Sequence, residues 1–217
     1  MRTYKEIIMV LVSLALAAIA CQAVTGRGSG KLPFSDDFSS TGWGTLSDAN
    51  SSVKYANNAL QMVVSRQNYF VSSTPPDNAD YQNVHLEVTV INNGTDSRTA
   101  FGLMCNKQGT SSAFYYLAMT PAGQYAIAIA AEGQSDVFLT NDDQWASSDL
   151  IAQNASSYRV GADCGNDTLT LYVDGQQIAS VLDSSYTRGS VGVFTWSDPE
   201  ANVTDVSFDD FLMTALP

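Results

Sequence analysis

An all-β sandwich of two antiparallel sheets is the fold class that this sequence predicts. Period-two hydrophobic alternation dominates from residue 84 onward, turn-forming residues punctuate the alternating runs at regular intervals, and no segment beyond residue 30 carries a convincing helical period. A single open sheet could not bury both of its faces, so this many strands in one domain call for two stacked layers.

The strands follow in order. "VHLEVTV" puts Val84, Leu86, Val88 and Val90 on one face and His85, Glu87 and Thr89 on the other. "AFGLMC" aligns Phe101, Leu103 and Cys105; "QYAIAIA" sets Tyr125, Ile127 and Ile129 against the alanines 126, 128 and 130. "YRVGADC" aligns Tyr158, Val160, Ala162 and Cys164, and "LTLYV" aligns Leu169, Leu171 and Val173. "VGVFTW" gives Val191 and Val193 one face and Phe194 and Trp196 the other, and "VSFDDFL" closes the chain. Between the runs stand "NNGTD", "TPAGQ", "CGND" and the Asp174-Gly175 pair, all turn chemistry. "NDDQWASSDLI" has room for one short helical turn.

The N-terminus differs in kind. Arg2 and Lys5 precede 14 apolar and small residues, "IIMVLVSLALAAIA", which end at Ala18-Ile19-Ala20 before Cys21. A short basic region and an apolar stretch of this length match a secretory leader over residues 1–20, and are too short for a spanning helix. The residues before Cys21 resemble the lipobox of bacterial lipoproteins, with Ala18 where leucine is commonest. That resemblance implies cleavage before Cys21, acylation of its sulfur and a membrane-anchored protein on the extracytoplasmic face. An ordinary leader with Cys21 incidental is the alternative. Residues 21–33, with Gly26, Gly28, Ser29 and Gly30 and no apolar periodicity, read as a tether. The remainder, 34–217, suits one domain.

The formal charge of −12 argues against nucleic acid or an anionic lipid surface as partner. Cys105 and Cys164 both fall on inward strand faces. In an exported chain such a pair is most simply a disulfide closing a loop of about 60 residues, two buried thiols being the alternative.

"FSDDFSSTGW" (34–43), "YRVGADCGNDTLTLYVDGQQIASV" and "VSFDDFLM" together resemble the concanavalin A-like lectin/glucanase superfamily, and more closely its laminin-G-like and sugar-hydrolase-associated domains. The likeness covers roughly residues 34–215 and specifies a fold better than a function. It implies a jelly roll of two curved sheets with the first and last strands side by side. It also implies a structural calcium ion held by Asp37 and Asp209, with Asp36 and Asp210 as neighbours that could substitute. Two acidic pairs brought together would repel without a cation between them. Exposed acidic decoration or turn capping is the alternative.

The glucanases of this superfamily use a Glu-x-Asp-x-x-Glu strand. None of Glu6, Glu87, Glu132 and Glu200 forms that pattern, and the corresponding strand, "AFYYLAM" (113–119), has no carboxylate. His85 is the sole histidine, and its pairing with Glu87 on one strand face is ordinary for a solvated surface. No catalytic set is assigned. For binding, a sugar needs an aromatic plate and polar groups around it. With Tyr115, Leu117 and Met119 inward, Phe114 and Tyr116 face out. Grouped with His85, Glu87, Thr89 and Asn106 on neighbouring strands, they form the expected ligand face, and the alanines leave room beside it. The opposite facing of this strand stays open. Phe194 and Trp196 make a second outward pair; Trp43 and Trp145 are read as packing residues. The functional expectation is a lipid-anchored, non-catalytic domain that binds glycan or a surface protein. A hydrolase of sugar derivatives and an adhesion protein without a small ligand stand as alternatives.

Overall fold

The computed structural model describes residues 30–77, 79–200 and 203–217. The expected leader, Cys21 and the expected tether as far as residue 29 lie outside the described residues; of the rest, the Gly30 amide donates to the Asp80 carbonyl and Leu32 packs against the core. Among those described there is no helix.

Sixteen strands are present among the described residues. The first five are β1 (Phe34–Asp36), β2 (Leu46–Ser47), β3 (Ser51–Ala56), β4 (Ala59–Val64) and β5 (Tyr69–Ser73). The middle of the chain gives β6 (Val84–Asn92), β7 (Ala100–Lys107), β8 (Phe114–Met119), β9 (Gln124–Ala130), β10 (Val137–Phe138) and β11 (Ala146–Ser147). The last are β12 (Ser157–Gly165), β13 (Thr168–Val173), β14 (Gln176–Leu182), β15 (Ser190–Ser197) and β16 (Thr204–Ala215).

They form two antiparallel sheets. The nine-stranded sheet runs β14-β13-β12-β6-β16-β4-β3-β2, with β1 added on β16. The seven-stranded sheet runs β10-β9-β8-β7-β15-β5, with β11 also on β9. Every strand whose inward face was read from the alternation presents that face to the inter-sheet core: Val84, Leu86, Val88 and Val90 are fully buried, as are Leu103, Leu117, Ile127, Val160, Leu171 and Val193. Cys105 on β7 and Cys164 on β12 form a disulfide that ties the two sheets together through this core.

Turn chemistry sets the hairpins. Asp174 and Gly175 have φ of 50° and 76°, the mirror-image turn that suits the right-handed twist of β13 and β14. Asn166-Asp167 and Asn57-Asn58 also have both φ values positive, between β12 and β13 and between β3 and β4. Asn and Asp reach this region more easily than other side chains.

The first and last strands are neighbours, Phe34 opposite Met213 and Asp36 opposite Phe211. In β16 the pairing to β6 shifts between Asp209 and Leu212, with Asp210 at φ 48°. This bulge turns Phe211 into the core, against Phe34 and Trp43 (ring centroids 6.0 and 5.0 Å). The opening "DDF" does similar work. Asp36 accepts from the Phe38 amide (2.8 Å) and the Trp43 indole (3.0 Å), Phe38 takes φ 51°, and Phe38 and Trp43 are buried together.

Candidate functional site: an aromatic cleft

All six residues of β8 are buried, although only Tyr115, Leu117 and Met119 face the inter-sheet core. Its other face lies within a second apolar cluster on the outside of the seven-stranded sheet. Met104, Phe114, Tyr116, Ala118, Ala128, Ala130 and Phe194 form it, with Phe138 and Trp145 packed against them. The register explains the assembly: Phe194 on β15 lies opposite Gly102 and Ser72, and Trp196 opposite Ala100 and Phe70. The rings touch as a continuous floor. Phe70 stacks on Phe194 at 5.0 Å, tilts against Phe114 at 5.5 Å, and Tyr116 meets Phe194 edge-on at 5.7 Å. Such contacts suit the quadrupoles of the rings. Alanines between them keep the floor low.

Above this floor is a cleft of about 760 Å³, a size that accepts a small ligand. Phe138 and Trp145 (centroids 6.0 Å apart) line one wall. They sit at either end of Asn141-Asp142-Asp143, three consecutive residues with φ of 49°, 53° and 65°. Each left-handed residue costs roughly 1–2 kcal/mol. Side-chain bonds offset that cost: Asp143 accepts from the Phe138 amide (2.7 Å), and the Asn141 amide group donates to the Trp145 carbonyl (2.8 Å). Pairing of Phe138 with Ala128 and of Ala146 with Tyr125 fastens both ends of this excursion to β9. A left-handed turn therefore stands where the sequence left room for a helical one.

The polar groups lining the cleft include Lys107, Ser111, Glu132, Ser135 and Asp136. The Tyr116 hydroxyl donates to Asp136 at 2.9 Å. Burial of the phenol and the adjacent carboxylate charge raise the Tyr116 pKa well above its ordinary value, so it stays a donor.

The structure divides the expected ligand face. Phe114 and Tyr116 face outward as read, and Phe194 and Trp196 join them in this cleft. His85 and Glu87 do not: β6 belongs to the nine-stranded sheet, and these side chains lie on its outer face, across the whole sandwich from Phe114. Asn106 is buried at the end of β7 with φ 51°, and its side-chain amide donates to the Tyr186 carbonyl (2.7 Å). It holds a loop. Phe70, Phe138, Trp145, Glu132 and Asp136 are among the cleft residues that the alternation did not single out.

On the opposite face His85 sits between two carboxylates, Nδ1 2.6 Å from Asp163 and Nε2 3.3 Å from Glu87. Arg159 contacts Glu87 at 3.0 Å and donates to Thr89 (3.1 Å) and to the Asp210 carbonyl (2.6 Å). Tyr172 donates to Asp163 at 2.8 Å. Burial alone would raise the Glu87 pKa, but the bonds from Arg159 and His85 outweigh it and hold the carboxyl below its usual range. The arrangement staples β13, β12, β6 and β16 together.

At the chain ends, Asp37 and Asp209 are close enough to interact. Partial burial chiefly, with the Asp210 and Asp37 charges, raises the Asp209 pKa. Asp37 accepts from the amide and hydroxyl of Ser39, and Asp36 is committed to Phe38 and Trp43. Asp37 and Asp209 are left, with Asp210 beside Asp209 but exposed, for a cation that wants six to eight oxygens. Among the described residues no group of three or more His, Cys, Asp or Glu side chains is placed to hold a metal.

No protein-family model and no curated protein sequence matches the chain. Solved structures do. The carbohydrate-binding module CBM66 from Bacillus subtilis superposes with a TM-score of 0.63 at 15% identity, covering 82% of this chain and 98% of that one. A β-glucanase of Bacillus licheniformis gives 0.60 at 13% identity, covering 84% and 97%. A protein of unknown function with a galectin-like fold, also from Bacillus subtilis, gives 0.55 at 11%, covering 87% and 96%. With its two antiparallel sheets and adjoining end strands, the chain has the concanavalin A-like jelly-roll fold.

Proposed function

We propose that this is a non-catalytic carbohydrate-binding domain, exported and held at the membrane surface by a lipid on Cys21, and that the aromatic cleft on the seven-stranded sheet is its binding site. The observation that carries the reading is the cleft itself: a floor of contacting rings for the apolar face of a pyranose, with hydroxyl, ammonium and carboxylate groups at its walls. The sugar-binding and sugar-cleaving proteins that share the fold support the class of ligand.

The non-catalytic part has its own support. A glycosidase flanks the scissile bond with two carboxyl groups. The carboxylates lining this cleft, Glu132 and Asp136, come from one loop, and β8 supplies none. Calcium enters the proposal only as a structural ion between Asp37 and Asp209.

A glycan array probed with the purified domain, residues 21–217, with calcium and with EGTA, tests the reading. Binding to a sugar without turnover of chromogenic glycosides supports it. Turnover would establish a hydrolase, and an array on which nothing binds would leave adhesion without a sugar ligand. Acylation is checked separately: the full chain should partition into detergent and Cys21→Ser should not.

A further inference from the structure

The charges at the cleft point to the chemical class of glycan it takes. Three charged side chains line it: Glu132, Asp136 and Lys107. The Lys107 ammonium donates to the Gly109 carbonyl at 2.9 Å, within its own turn. Asp136 accepts a hydrogen bond from the Tyr116 hydroxyl through Oδ2, which ties this exposed carboxylate to the aromatic floor. Glu132 is exposed on the same loop. The balance at the mouth is therefore two negative charges against one positive, on a chain of net charge −12.

Carboxylates only accept hydrogen bonds. They suit ligands that present hydroxyl or ammonium donors, and they repel carboxylate and sulfate groups brought beside them. Resting on the binding reading above, we infer that the cleft selects neutral or amine-bearing glycans and rejects uronates and sulfated sugars, with Glu132 and Asp136 as the residues that set this specificity. The aromatic floor supplies affinity for neutral sugars, whereas the two acids supply the discrimination against anionic ones. Cationic amino sugars gain twice, from the carboxylates and from the faces of Phe138 and Trp145.

The test uses matched oligosaccharides: cello-oligosaccharides against their C6-oxidised uronate forms and against their C6-sulfated forms, and chitin against chitosan oligosaccharides. Binding is measured by titration calorimetry at low and at high salt, for the wild type and for Glu132→Gln with Asp136→Asn. Asn at 136 keeps an acceptor for Tyr116, so the floor is undisturbed. The wild type should bind the neutral cello-oligosaccharide about tenfold more tightly than its anionic forms, and chitosan at least as tightly as chitin oligosaccharides. Salt should narrow the difference, and the double variant should largely abolish it. An anionic glycan that binds the wild type as tightly as its neutral partner overturns the inference while leaving glycan binding intact. So does a double variant with unchanged discrimination. Failure of every oligosaccharide to bind overturns the binding reading itself, and the inference with it.

Discussion

Trp145 depends on a backbone that few side chains would tolerate. Asn141, Asp142 and Asp143 all lie in the left-handed region, and Asp143 repays part of the cost by accepting from Phe138. Asp143→Ala should destabilise the fold by about 1–2 kcal/mol, since alanine loses both the bond and the tolerance for this φ. Asp143→Asn, which keeps both, should restore the wild-type melting temperature. Acid titration gives a second check at this scale. Glu87 is held low by Arg159 and His85, and Asp183 by bonds from Tyr115 and the Ser185 amide that outweigh its burial. Each contributes stability that is full above its unfolded pKa and is lost as pH falls through its lower folded value, so chemical denaturation should show stability falling below about pH 4. Asp209 has the opposite sign. Its raised pKa makes its charge a cost above the folded value, relieved on acidification. Asp209→Asn should stabilise the protein at neutral pH, by less than about 1 kcal/mol given its partial exposure, and the gain should fade in acid. If calcium binds there, that variant should also lose any calcium-dependent rise in melting temperature.

Within single elements the sequence was read well, and between elements it was not. Alternation grouped Tyr115, Leu117 and Met119 on one face of β8 and Phe114 and Tyr116 on the other, with the facing open, and the structure puts the first set in the core; it separated Val193 and Phe194 of β15 in the same way. Period two states which residues share a face of a strand. It carries no information about which strands share a sheet. β6 and β7 are consecutive in sequence, yet one lies in each layer, so His85 and Glu87 were grouped with aromatics on the far side of the molecule. Asn106 failed for a local reason: its positive φ ends the regular strand and turns the side chain to Tyr186. Phe138 lies in a strand of two residues and Trp145 directly precedes another, both too short to show any period. The Asp-Asp-Phe repeats, by contrast, marked both bends beside the β1–β16 pair. At the clearest hairpin, Gly175→Val should cost upwards of about 1 kcal/mol in denaturant melts, because a β-branched side chain resists φ 76°.

For the whole molecule, the two-layer fold follows from the alternation, which also put Cys105 and Cys164 on inward strand faces, where the structure joins them. Cys105 and Cys164 join layers that share no backbone ladder, over a sequence separation of 59 residues. Replacing both with serine should lower stability by about 2–4 kcal/mol while far-ultraviolet dichroism stays β-type. The fold leaves two broad outer faces with different chemistry. One is a charged staple around His85, Glu87, Asp163 and Arg159; the other is a ring-lined cleft. The proposed ligand site is the second. Glycan affinity measured in parallel for Trp145→Ala with Trp196→Ala, and for His85→Ala with Glu87→Ala, tests that placement most directly. The account predicts at least about a tenfold loss for the first pair and no change for the second. Unchanged binding by the cleft variant, with loss in the other, would contradict it.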